Sequence, residues 1–117
     1  MAEPVGTPWF DEAEVAGLAP QLVEMLAHAR GLAKTPFRIT SGLRSSDANQ
    51  QAGGVMDSAH TRGLAVDLGC FDSRARMRML SGLLMAGFRR IGVYDRHLHA
   101  DCDETLPQDV LWVGVSH

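Results

Sequence analysis

The chain has 117 residues, 45% of them hydrophobic, and a net charge of −3. That length suits one domain, residues 1–117, with enough apolar mass for a core, which argues against disorder. The charge offers no basic face to nucleic acid, and no apolar run reaches the roughly 18 residues of a membrane span, so neither is an expected partner.

The opening MAEPVGTPWF lacks the positive start and apolar core of a secretory signal, so synthesis in a cytoplasm is expected. Asp11 is a candidate N-cap with acidic residues after it, which predicts a short helix ending near Gly17. LAPQLVEMLAHARGLAK is the strongest helix. Pro20 suits its first turn, and Leu18, Leu22, Met25, Leu26 and Ala29 share one face. FRIT reads as a short strand. Residues 41–59 form a long polar loop with room for one helical turn, and long loops in small domains tend to be functional. GLAVDLG then alternates, with Leu64, Val66 and Leu68 on one side and Ala65, Asp67 and Gly69 on the other. DSRARMRMLSGLLMAG predicts a helix capped by Asp72 or Ser73 and closed near Gly87. RRIGVYD and RHLHAD predict two strands joined tightly near Asp95, and DVLWVGV a last strand. Cys70 and Cys102 match no metal-binding cysteine spacing and read as free, buried thiols. The order of elements implies an α+β domain with a small, mainly antiparallel sheet and flanking helices.

On HLHAD, strand alternation puts His97, His99 and Asp101 on one face and Leu98 and Ala100 on the other. The apolar face must meet the core, so the other carries two imidazoles and a carboxylate. If this strand lies beside GLAVDLG, Asp67 and His99 approach each other. His60 can then close over them from the loop, and Gly63 lets the chain turn from that loop into the strand. Two histidine nitrogens and one carboxylate oxygen make a three-ligand zinc site with an open fourth position. Water at such a position is acidified to a pKa of about 7, which suits hydrolysis. Residue types alone leave the alternative open that these histidines are packed or surface residues, because an HxxxxxxD spacing also arises by chance.

SAHTRGLAVD, read as SxHxxGxAxD, resembles the zinc motif of the M15 peptidases, which include D-Ala-D-Ala carboxypeptidases, dipeptidases and phage endolysins. FRITSGLRS resembles the strand and Arg-bearing loop before that motif. GFRRIGVYDRHLHAD resembles the closing GxxxIGxY…HxD segment, best matched in the small phage-type branch. The likeness runs from about Phe10 to Asp101. It implies a hedgehog/DD-peptidase-like fold and zinc held by His60, Asp67 and His99. It makes Arg44 a residue that binds substrate and stabilises the transition state, since a guanidinium can hold a carboxylate or a developing oxyanion. Ser58 would face the substrate or brace the loop.

Many members of that family place a Glu or Asp three residues before the last ligand as general base, and here that position is Arg96. Asp95 or His97 could move the proton instead. Asp101 could buttress a ligand. The resemblance implies a zinc metallopeptidase, of carboxypeptidase or endopeptidase type, that cuts peptidoglycan stem peptides. A phage or prophage source, a monomeric chain, and action on the wall after holin-type release or virion delivery are expected. The alternative is a zinc-binding module of the same fold with impaired catalysis and a structural or wall-binding role.

Overall fold

The structure, a computed structural model, describes residues 9–42 and 59–115. Helix α1, Pro20–Ala33, starts on Pro20, where no intrahelical amide bond is lost. It buries Leu22, Val23, Leu26, Ala29 and Ala33, and Lys34 leaves it in the left-handed region at φ 54°. Strand β1, Ile39–Ser41, follows, then a 3-10 turn at Ala59–Arg62 and strand β2, Ala65–Gly69. Helix α2, Ser73–Met85, is capped by Asp72, whose carboxylate accepts a 2.8 Å hydrogen bond from the Ala75 amide. Strands β3, Arg90–Val93, and β4, His97–Asp101, form a hairpin closed by a 3.0 Å bond from the Tyr94 amide to the His97 carbonyl. Strand β5, Val110–Val113, comes last.

The strands are ordered β1-β2-β4-β3-β5 and pair antiparallel, except β5, which runs parallel to β3. This is the expected α+β arrangement with a mostly antiparallel sheet. One sheet face meets the helices: Val66, Leu68, Ile91, Leu98 and Ala100 join Leu22, Leu26, Met79, Leu83 and Phe88 in one buried cluster. The helices lie so close at Gly82 that a Cβ there would stand 2.6 Å from the Ala29 carbonyl oxygen. Burying a large apolar side chain contributes roughly 1.5–3 kcal/mol. Strand β4, flanked on both sides and anchored by the fully buried Leu98 and Ala100, is therefore a rigid base for whatever its other face carries. No helix among the described residues is long and apolar enough to cross a membrane. Cys70 is buried and Cys102 half-buried, and both are free thiols.

Residues 11–17 differ from expectation. Asp11 and Glu14 do exchange side chain to amide bonds of 2.8 and 3.2 Å, as at a helix start, but the chain only turns. Gly17 takes φ 80° before Pro20 begins α1, leaving too few residues to offset the cost of nucleating a helix. The turn buries Val15 completely and lays its Gly17 carbonyl against Gly63.

Candidate metal centre

The β2–β4 register sets Asp67 directly opposite His99, Gly69 opposite His97 and Ala65 opposite Asp101. With Val66, Leu68, Leu98 and Ala100 pinned in the core, the polar residues of both strands must share the other face. His60 comes from the 3-10 turn. Gly63, at φ 72°, ends that turn, and a Cβ on it would stand 2.5 Å from the Gly17 carbonyl oxygen. The Ala19 amide donates to the Gly63 carbonyl at 2.9 Å, so the turn is fastened to the start of α1. On its other side Arg62 pairs with Asp103, fully buried just beyond β4, which also accepts bonds from the Thr105 amide and hydroxyl. The His60 turn is thus tied to the strand that carries His99.

His60 Nε2 and His99 Nδ1 each lie 3.3 Å from Asp67 Oδ1, and the three candidate ligand atoms all fall within 4.8 Å of one another. His60 Nδ1 is 2.9 Å from the Gly42 carbonyl oxygen. A carbonyl only accepts, so Nδ1 carries the hydrogen and Nε2 turns its lone pair to Asp67. His99 Nε2 is 2.7 Å from Asp101 Oδ2, which assigns its hydrogen there and turns Nδ1 to Asp67 in the same way. Three electron-pair donors thus converge, an arrangement that a cation or shared protons reconciles. Two donors held about 2.0–2.1 Å from a tetrahedral zinc stand about 3.4 Å apart. The donor set and its spacing therefore fit zinc.

Charges in the cluster follow from the same contacts. When protons rather than a cation fill the space between the donors, the rings donate to Asp67: burial alone would raise its carboxyl, but hydrogen bonds and charge from His60 and His99 outweigh it and hold it well below the usual carboxylate range. Burial opposes protonation of His99, yet its bonds to Asp101 and Asp67 prevail and lift it above the ordinary histidine value. For His97 burial wins, and its pKa is lowered.

The other candidates separate clearly. His97 stacks on Tyr94, ring centroids 4.3 Å apart, and places Nε2 4.0 Å from Asp67 Oδ1. Asp95 sits at the hairpin tip, half exposed, 4.0 Å from the exposed Arg96 guanidinium. Asp101 is buried and accepts from His99, from Arg90 Nε at 2.8 Å and from the Asp103 amide at 3.2 Å. Arg44 and Ser58 lie outside the described residues. Arg90, the Arg62–Asp103 pair, Trp112 beside His99 and Tyr94 beside His97 were not among the candidates that the sequence offered. Strand alternation alone would have put Arg90 and Tyr94 on the polar face.

Residues 6–103 match the family described as Peptidase M15. No match to the chain was found among curated proteins.

Proposed function

The chain belongs to the Peptidase M15 family, and from that premise we propose that it is a zinc-dependent peptidase acting on the stem peptides of peptidoglycan. The observation that carries the reading is the convergence of His60, Asp67 and His99 on the polar sheet face, each imidazole turning a lone pair to one carboxylate oxygen. His60, Asp67 and His99 would hold the ion, with Asp101 orienting His99 through its Nε2 hydrogen; bound there, zinc would supply a Lewis acid that acidifies water and polarises a peptide carbonyl. His97 takes the proton from the attacking water and returns it to the leaving amine, since it stands on the same face within 4.0 Å of Asp67. Asp95, at the hairpin tip, is the less well placed of the two candidate bases. Arg44 holds the peptide carboxylate or the developing oxyanion, as the family resemblance implies. The chain acts as a monomer, is made in a cytoplasm, and comes from a phage or prophage that brings it to the wall.

Arg96 favours a second reading, a zinc-binding module without catalysis, because it occupies the position where many relatives carry the acidic base. The test is release of new amino groups from purified peptidoglycan by the zinc-loaded chain, its chelated form, and the His97→Ala and Asp95→Asn variants. Chelation should abolish cleavage and zinc restore it. His97→Ala should keep its zinc yet lose at least ~10²-fold in rate, the lower end of what a general base contributes. A zinc-loaded parent that cleaves neither peptidoglycan nor any other peptide would hand the case to the second reading. Parent-rate cleavage by His97→Ala would remove His97 as base.

A further inference from the structure

We propose that Tyr94 is a substrate-contacting residue of this site, its hydroxyl donating a hydrogen bond to the peptide as it reacts, and that Trp112 is the residue that positions it. The assignment rests on the peptidase reading above. It adds to the site a strand, β5, that lies beyond the matched residues 6–103.

The register across β4, β3 and β5 places His99, Gly92 and Trp112 in one row on the polar face. Gly92 has no side chain, so the indole lies down across β3: a Cβ on Gly92 would stand 2.5 Å from Trp112 Nε1 and 2.8 Å from Tyr94 Cε2. The indole thereby reaches the His99 ring, centroids 5.3 Å apart. Tyr94 is bracketed by the cluster from two directions. Its ring stacks on His97 at 4.3 Å, and its hydroxyl oxygen is 2.8 Å from Trp112 Nε1.

The chemistry of that last bond sets the direction of the phenol. An indole N–H can only donate, so the Tyr94 oxygen accepts, and its own hydrogen must point away from Trp112. Among the described residues no group receives that hydrogen. A half-buried phenol stacked on His97, with a fixed oxygen and a donor that no described residue receives, suits an acceptor that arrives with the substrate. The peptide carbonyl oxygen is such a group, and it gains negative charge as water adds to it. A donor already in place for that charge raises rate more than affinity.

The test compares parent, Tyr94→Phe, Trp112→Phe and the double variant on purified peptidoglycan, with zinc content and melting temperature measured on each. Tyr94→Phe should keep its zinc and its melting temperature. Its kcat should fall at least tenfold, towards the ~10²–10³-fold that one oxyanion donor can be worth, with little change in KM. Trp112→Phe should lose less, and the double variant should be no slower than Tyr94→Phe alone, because Trp112 works through the phenol. In a Trp9→Phe chain Trp112 is the sole tryptophan, and its emission should shift at saturating peptide. Parent-rate cleavage by Tyr94→Phe, additive losses in the double variant, or unchanged emission would overturn the assignment. A parent that spares peptidoglycan but cleaves another peptide refutes the substrate reading alone, and the comparison is then made on that peptide. A parent inactive on both overturns the two together.

Discussion

Replacing Asp101 by Asn tests whether the ligand geometry is imposed from behind. The carboxylate is buried, 1% exposed, and Oδ2 receives the His99 Nε2 hydrogen at 2.7 Å. Oδ1 receives Arg90 Nε at 2.8 Å and the Asp103 amide at 3.2 Å. An amide of the same shape cannot serve both sides. If its oxygen stays with Arg90 and the Asp103 amide, its NH₂ opposes the His99 N–H, and His99 must move its hydrogen to Nδ1. That is the nitrogen 3.3 Å from Asp67 Oδ1, so the lone pair needed for zinc is gone. If the amide flips, two buried donors face a third. Either way a charge-assisted bond is lost, worth about 1.5–3 kcal/mol. At about 1.4 kcal/mol per factor of ten, that predicts a Kd for zinc roughly 10–100-fold weaker, the range typical for loss of a group that orients a metal-bound histidine. The assay is competition against a chromophoric zinc chelator, followed by peptidoglycan hydrolysis at saturating zinc. The rate there should stay within a few-fold of the parent, because Asp101 reaches the chemistry only through His99. Parent-like zinc affinity in Asp101→Asn would refute the tautomer argument, and a large rate loss with affinity intact would move Asp101 into proton transfer.

Alanine at His60, Asp67 or His99 should each remove most bound zinc measured by elemental analysis, whereas His28→Ala, outside the cluster, should not. Chelation should lower the melting temperature reversibly, by about 10–20 °C relative to free zinc a hundredfold above Kd, and an unchanged melting curve would exclude a site coupled to folding. Asp103 should shape the acid limb of stability. Burial opposes its ionisation, but hydrogen bonds from Thr105 and Arg62 outweigh it and depress its pKa. A depressed carboxyl contributes stability that is present above the ordinary value near 3.9 and is lost as pH falls through the folded value. Asp103→Asn should therefore be less stable than the parent at pH 6, with the gap closing below pH 4, as read from urea midpoints against pH; a gap that persists at pH 3 would contradict the ion-pair account.

Strand alternation made much of this site legible in the sequence. HLHAD and GLAVDLG each carry apolar residues at alternate positions, so burying one face commits His97, His99, Asp101 and Asp67 to the other, whatever the rest of the fold does. Helix α2 was legible because Asp72 and Gly87 mark its ends with side-chain and backbone chemistry that acts locally. Residues 11–17 misled because their start signal is equally local, while the outcome was decided by distance: Gly17 packs against Gly63, far along the chain.

What stayed hidden depends on pairings between remote segments. Asp103 reads as one more loop acid until the fold closes Arg62 onto it. Trp112 reads as a residue on a final strand of unknown neighbours. Its meaning comes from β5 joining β3 in parallel, a connection that no short turn signals. Gly92 is the deciding residue. In sequence it is a weak point in a strand, where a glycine can mark a bulge or a close approach. Only the order β4-β3-β5 shows which, by placing His99 on one side of it and Trp112 on the other. The missing side chain is what brings the indole to the histidine and the phenol to the indole. The polar face of the sheet thereby runs from His99 across Gly92 to the indole, and from the indole to the Tyr94 hydroxyl.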